Sequence, residues 1–376
     1  MKKRMVTWML AGVLAAGLSL GSLPNNAVIV QAEEATGVVE NLYDPDFSIE
    51  LLEDGIKRVI DGEDRELILV PKELEAVPEE YADSIVIRTP VDNAVFLSST
   101  QVCAFRAVDD DAVISAIGGV NGSADSWAEI PAIQEAMESG DIVDVGGGMG
   151  DPDYELIQSL EPDVVFVYTG SSPQSSVIAK LEELGINYAV DNEYMESNYM
   201  ARMEWMRFLL TFFDADEQVD AVMQEAQANV DAVKEALEGQ EQKKVAIFSV
   251  YDGTVYATSD TSWVGTMLAD MGGVNAFSGQ TEGALTLEAA FDCVQDADVI
   301  IYTSTPAYCN GMEGVLEAFP QLTECAAYEN GCVYQYGDPF WLGIDQTDVM
   351  AADLAAAIYP DVFPDRELTY YVSLAE

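Results

Sequence analysis

Short apolar runs of strand length alternate with helix-like segments on both sides of a forty-residue stretch, 199–238, whose own apolar residues recur at helical spacing. In that stretch Trp205, Phe208, Leu209 and Phe212 mark one stripe. Val219, Met223, Ala226, Val230, Val233 and Leu237 follow at alternating steps of four and three, predicting a long amphipathic helix or a bent pair that Gly239 ends. Before it come Ala94-Val95-Phe96-Leu97, Val143-Asp144-Val145, Asp163-Val164-Val165-Phe166-Val167-Tyr168 and Tyr188-Ala189-Val190, with helical patterns at 130–139, 154–160 and 176–184. After it come Lys244-Val245-Ala246-Ile247-Phe248-Ser249-Val250, Val255-Tyr256-Ala257, Asp298-Val299-Ile300-Ile301-Tyr302 and Val333-Tyr334-Gln335-Tyr336. A last amphipathic helix, 347–358, stops at Pro360. Such alternation predicts parallel sheets covered on both faces.

The expected fold class is therefore α/β: two Rossmann-like lobes, 91–195 and 240–376, joined by a single long α-helix within 196–239, with a ligand cleft between the lobes. A weak internal echo supports two lobes, Glu161-Pro162-Asp163-Val164-Val165 against Asp296-Ala297-Asp298-Val299-Ile300. Residues 33–90 read as a small β extension of two or three strands, with Phe47-Ser48-Ile49-Glu50-Leu51 and Leu67-Ile68-Leu69-Val70 around the turn Asp61-Gly62-Glu63-Asp64.

Residues 1–32 read as a secretory signal peptide. Lys2, Lys3 and Arg4 precede an uncharged apolar run at 5–23, and Val30-Gln31-Ala32 supplies a small-residue cleavage pattern before Glu33. The expected location is secreted, extracellular or periplasmic, near the cell membrane. A membrane anchor is the competing reading of the same run. The net charge of −51 becomes more negative once the three basic residues are cleaved away, which disfavours nucleic acid and anionic lipid as partners.

The chain contains no histidine, which excludes His-triad hydrolysis and a His-rich zinc or manganese cage. Five cysteines leave at least one thiol free, and Cys309, Cys325 and Cys332 are near enough for one bridge or for buried thiols. Gly146-Gly147-Gly148-Met149-Gly150 follows a strand without the residues of a phosphate loop, and reads as a turn or a close ligand approach. Asp109-Asp110-Asp111 reads as a solvated helix start. No activated nucleophile or carboxylate pair is defensible from spacing, so no catalytic residue, no metal ligand and no cofactor is expected, and the chain is not read as an enzyme.

Hydroxyl and aromatic residues instead collect at expected strand ends: Ser98, Ser99, Thr100, Tyr168, Thr169, Ser171, Ser172, Tyr251, Trp263, Tyr302, Thr303, Ser304, Phe340 and Trp341. In open α/β sheets ligands sit outside the carboxyl ends of the strands, so these residues are expected to face the crevice. Trp127 belongs to the same candidate ligand-binding set.

The order of lobe, helix and lobe, together with Glu155-Leu156-Ile157-Gln158-Ser159-Leu160-Glu161-Pro162-Asp163-Val164-Val165, resembles the helix-backbone, class III substrate-binding proteins of ABC importers for iron-siderophore complexes and vitamin B12. Further matches are Arg202-Met203-Glu204-Trp205, Trp263-Val264-Gly265-Thr266-Met267-Leu268-Ala269-Asp270-Met271-Gly272-Gly273, and Glu288 in Leu285-Thr286-Leu287-Glu288-Ala289-Ala290. The resemblance spans about 90–360 and leaves the β extension outside it. It implies a two-lobed monomer with restricted hinge motion that captures a small-molecule metal chelate and docks on an ABC transporter permease through Glu155 and Glu288. The lipid-attachment cysteine usual in Gram-positive members has no counterpart after the apolar run.

With few basic residues in the chain, Arg106 is the expected cleft cation, which tilts the ligand toward a neutral or weakly charged chelate, a hydroxamate siderophore or a corrinoid. Haem is less favoured, because without histidine only Tyr or Met is left for an axial position. The alternatives are a secreted α/β enzyme using carboxylate or metal chemistry, and a surface scaffold whose crevice is filled by aliphatic side chains.

Overall fold

The computed structural model describes residues 37–375 apart from 109, 110, 148, 149, 171, 281 and 282. The expected signal peptide and Ser171 lie outside the described residues, as do parts of the Asp109-Asp110-Asp111 and Gly146-Gly147-Gly148-Met149-Gly150 runs. Among those described, the strands form three sheets.

The N-terminal segment is larger than its sequence pattern suggests. It forms five strands, β1 (Gly37–Val38), β2 (Ser48–Leu51), β3 (Lys57–Ile60), β4 (Glu66–Pro71) and β5 (Ile85–Thr89), in that spatial order. The charged start of β3 hides it from a hydrophobic pattern. Lys57 reaches Asp214 and Asp216 at 3.2 and 3.1 Å, and Arg58 reaches Glu50 at 2.6 Å, so their heads stay polar while the stems lie on the sheet.

The first lobe runs β6 (Ala94–Phe96), α1 (Ser99–Cys103), α2 (Asp111–Ile114), β7 (Ile117–Val120), α3 (Pro131–Ser139), β8 (Val143–Asp144), α4 (Tyr154–Leu160), β9 (Val164–Val167), α5 (Ser172–Leu184) and β10 (Tyr188–Val190). Its sheet is parallel throughout, in the order β10-β9-β6-β7-β8. β7 escapes a propensity reading because Gly118 and Gly119 sit inside it. A Cβ there meets Asn93 Oδ1 at 2.0 Å and Val145 Cγ1 at 2.6 Å, so close packing requires the glycines.

The linker, read as one long helix or a bent pair, is the pair: α6 (Tyr199–Thr211) and α7 (Val219–Ala236), separated by a turn in which Asp214 takes a positive φ of 53°. Phe212 and Phe213 fix that turn, packing on Phe166 and Phe105 with centroids 5.0 Å apart in each case. All of α6 is buried, not one stripe of it. The N-terminal segment explains this: Phe47 packs against Trp205 at 4.9 Å and Phe208 at 5.7 Å, covering a face that the two lobes alone leave open.

The second lobe continues with β11 (Lys243–Tyr251), β12 (Thr254–Ala257), α8 (Trp263–Asp270), β13 (Gly273–Asn275), β14 (Ala284–Thr286), α9 (Leu287–Val294) and β15 (Val299–Tyr302). It closes with α10 (Gly311–Ala318), α11 (Ala326–Glu329), β16 (Val333–Tyr336), α12 (Thr347–Ile358) and β17 (Tyr371–Ser373). Here the expectation of a parallel sheet fails in part. β13, β11, β15 and β16 run parallel, but β12, β14 and β17 enter through antiparallel pairings. The cause is local: Asp252-Gly253, with φ of 48° and 72°, makes a two-residue hairpin between β11 and β12.

The internal echo is structural. Asp163 Oδ2 accepts the Asn93 backbone N–H at 3.1 Å before β9, and Asp298 Oδ2 accepts that of Lys244 at 2.8 Å before β15. In each lobe this carboxylate ties a strand to the neighbour it pairs with. The five cysteines are all free thiols, so Cys309, Cys325 and Cys332 form no bridge. No helix among the described residues is long and apolar enough to cross a membrane.

Because Phe47 seals α6, Phe47→Ala is expected to cost about 3 to 5 kcal/mol, as large-to-small aromatic changes in a core do. Urea unfolding of the two proteins measures the difference.

Candidate functional site

Between the lobes lies a cavity of about 310 Å³, lined by Ser98, Ser99, Thr100, Gln101, Tyr168, Asp191, Glu193, Tyr194, Arg202, Trp263 and Trp341. Its position follows from topology. Ser98–Gln101 follow β6, Tyr168 follows β9, Asp191 follows β10, and Trp341 lies on the turn Asp338–Leu342 after β16. These are carboxyl ends of strands, where open sheets leave a crevice.

Each wall is held by local hydrogen bonds. The Gln101 side chain accepts from the Ser98 N–H at 3.2 Å and donates to the Val167 carbonyl at 3.3 Å, pinning the start of α1 to the end of β9. Ser98 Oγ and Thr100 Oγ1 share a hydrogen at 2.9 Å. Tyr168 and Tyr194 meet edge to face, centroids 6.0 Å apart, and the Tyr194 hydroxyl donates to the Thr169 carbonyl. Burial pushes the Tyr194 phenol up, with nearby negative charge adding to it.

Across the gap Trp263, at the head of α8, is buried, whereas Trp341 is half exposed at the mouth. Trp263 lies beside Phe340, centroids 6.2 Å apart, and Phe340 stacks on Tyr336. Arg202 of α6 joins the two sides. Its Nε donates to Glu193 Oε2 at 2.6 Å, and its guanidinium sits 4.2 Å from the Trp263 ring centroid.

Of the sequence candidates, Ser98, Ser99, Thr100, Tyr168, Trp263 and Trp341 meet at this cavity. Arg106 does not. Its Nη2 and Nε bind Asp345 at 2.7 and 2.9 Å, and Nη2 also donates to the Leu342 carbonyl at 2.6 Å. It ties the first lobe to the second, and the guanidinium is held there rather than in the cleft. Trp127 is buried in the core of the first lobe. Tyr302 is buried with its hydroxyl accepting the Val250 N–H at 3.1 Å, bracing β11. Tyr251 ends β11 at the hairpin, is 75% exposed, and lies with Tyr302, Thr303 and Ser304 in a separate open depression on the second lobe. Phe340 stays in the core. Thr169 turns away to donate from its hydroxyl to Glu63 at 2.6 Å.

Sequence reasoning passed over Gln101, Asp191, Glu193, Tyr194 and Arg202. Asp191 and Glu193 follow the run Tyr188-Ala189-Val190 directly, so the strand-end rule reaches them once acidic residues are admitted. Arg202 was placed on the linker helix, and only the burial of α6 brings it to the cleft.

Glu155 and Glu288 are both exposed and hold equivalent places. Each is the second residue of a helix capped two residues earlier, α4 by Asp153 and α9 by Thr286. Both helices follow an edge strand, α4 coming after β8 across residues 145–153 and α9 directly after β14. Among the described residues no group of three or more His, Cys, Asp or Glu side chains is arranged to hold a metal ion.

A family model described as periplasmic binding protein matches residues 110–339. An uncharacterised lipoprotein of Methanocaldococcus jannaschii is 27% identical over 330 residues, covering 84% of this chain and 78% of its own length. Among solved structures, the periplasmic heme-binding protein RhuT from Roseiflexus superposes with a TM-score of 0.58 at 19% identity, over 72% of this chain and 99% of its own. CeuE from Helicobacter pylori, solved with Ni(II) bound, gives 0.57 at 16%, over 75% and 88%.

If Arg106 ties the lobes, Arg106→Ala leaves Asp345 buried without its cation and is expected to cost roughly 2 to 3 kcal/mol. A double-mutant cycle with Asp345→Asn, read by urea unfolding, should show strong coupling between the two positions.

Proposed function

The chain belongs to the periplasmic binding protein family, and on that premise we propose that it captures a metal chelate outside the cytoplasm and hands it to an ABC importer permease. The observation that carries this reading is the inter-lobe cavity. Four aromatic side chains, Tyr168, Tyr194, Trp263 and Trp341, surround it, and hydroxyls and one buried guanidinium supply the polar contacts. Apolar walls with a few fixed polar groups suit a compact ligand with an organic periphery. An iron-siderophore complex or a corrinoid meets that description. The solved relatives described as heme-binding or nickel-bound support a metal-containing cargo.

Glu155 and Glu288 are the proposed docking residues. Their equivalent placement on the two lobes gives a permease one carboxylate on each, and exposed charges of this kind govern orientation and encounter more than affinity. The Arg106–Asp345 tie supports a carrier that opens little.

A panel of ferric hydroxamate and catecholate siderophores, cyanocobalamin and haemin, scored by thermal unfolding, tests the cargo. A ligand at a hundredfold excess over its Kd is expected to add about 2.7 kcal/mol to stability, while non-ligands leave the midpoint unmoved. Quenching of Trp263 and Trp341 fluorescence should follow the same titration, and Trp263→Leu should weaken both signals. No response to any chelate would sink the proposal.

For delivery, Glu155→Ala combined with Glu288→Ala is expected to leave ligand affinity within about twofold while slowing uptake in permease-containing vesicles about tenfold. Unchanged uptake would remove these residues from docking.

A further inference from the structure

The floor of the cleft carries two buried polar atoms without a hydrogen-bond partner among the described residues, Asp191 Oδ2 and Arg202 Nη1. Both residues line the cavity and are 1% and 2% exposed. One other atom of each group is engaged. Asp191 Oδ1 accepts the Glu193 N–H at 3.1 Å, and Arg202 Nε donates to Glu193 Oε2 at 2.6 Å.

Charge decides the state of the free oxygen. Arg202 and Glu193 neutralise one another, so an ionised Asp191 adds a second carboxylate to a buried site with no cation hydrogen-bonded to it. Burial, and then the charge of Glu193, push the Asp191 carboxyl well up against the pull of Arg202. The remaining titratable groups on the cavity are the phenols of Tyr168 and Tyr194, with Glu63 acting on the latter. Since Oδ1 is already an acceptor, the proton belongs on Oδ2. The floor then offers an O–H from Asp191 and an N–H from Arg202, neither of them paired within the described residues.

We propose that Asp191 is held protonated and acts beside Arg202 as a hydrogen-bond donor to a carbonyl oxygen of the ligand, an amide or hydroxamate. This rests on reading the cleft as a chelate site. A carbonyl oxygen satisfies both donors without bringing net charge to a floor that has none. A ligand carboxylate places an extra anion beside Glu193 in a chain of net charge −51. Sites built to hydrogen-bond a ligand reject analogues that leave their buried groups unpaired.

Infrared difference spectra of the ligand-free wild type and Asp191→Asn should show a protonated-carboxyl band in the wild type alone. Calorimetric titrations then use cyanocobalamin, whose periphery carries amides, ferrioxamine B, a hydroxamate, and haemin, which carries carboxylates. Asp191→Asn, which keeps an N–H donor, should bind the preferred chelate within about threefold of wild type, and Asp191→Leu about tenfold or more weakly. Wild-type affinity should fall as the pH is raised and the proton is lost, and that of Asp191→Asn should not. Should Asp191→Leu not fold, this contrast in pH dependence decides the matter. A missing band, equal binding by a folded Asp191→Leu, or haemin as the tightest ligand overturns the inference. A band present with no chelate bound supports the donor floor and overturns the chelate reading, so the two failures are distinct.

Discussion

Every face of α6 is buried, so the charged side chains of Arg202, Glu204 and Arg207 must find partners in three different parts of the chain. Glu204 accepts the backbone N–H groups of Leu42 and Tyr43, at 2.8 to 3.0 Å, and so holds the N-terminal segment. Arg207 pairs with Asp220 of α7. Arg202 pairs with Glu193 and reaches Trp263 of the second lobe. A buried charge without its partner is costly, so each pairing fixes the element that supplies it. Just before the helix, Glu196 accepts from the Asp46 N–H and the Trp205 indole. The N-terminal sheet, the linker and the cleft floor are thus secured by the same short stretch of helix.

This dependence also explains what the sequence made legible. The strands at Tyr188–Val190 and Val333–Tyr336 and the helices Tyr154–Leu160 and Thr347–Ile358 read directly, because their signals are local runs, caps and breakers. Where the reading missed, long-range contact decides. Gly118 and Gly119 look like breakers until Asn93 and Val145 are seen to need the space. The stripe of Trp205, Phe208 and Phe212 predicts one covered face, but not that Phe47, more than 150 residues away, packs on Trp205 and Phe208 while every other face of the helix is buried too.

The candidate site divides along the same line. Ser98, Ser99, Thr100 and Tyr168 stand at ends of strands in a regular parallel sheet, and the strand-end rule brings them to the cavity. Tyr251 fails it because the Asp252-Gly253 hairpin carries β11 past the sheet. Arg106, the expected cleft cation, ties the lobes, and Arg202 stands at the cleft in its place. Nothing local distinguishes the arginine that meets a buried Asp345 from the one whose helix is wrapped on all sides.

With Asp191 protonated as proposed, the cleft floor is electrically balanced within a strongly acidic molecule, and this separates two steps of the proposed function by their response to ionic strength. A ligand held by a paired guanidinium, a neutral acid and aromatic walls gains little from the long-range field, so salt leaves its affinity almost untouched. Encounter with the proposed permease would depend instead on exposed carboxylates and on a net charge of −51, both screened beyond about 8 Å at physiological salt. On the proposed function the same molecule loads at nearly constant strength across media of different salinity, while its rate of unloading follows the ions around it.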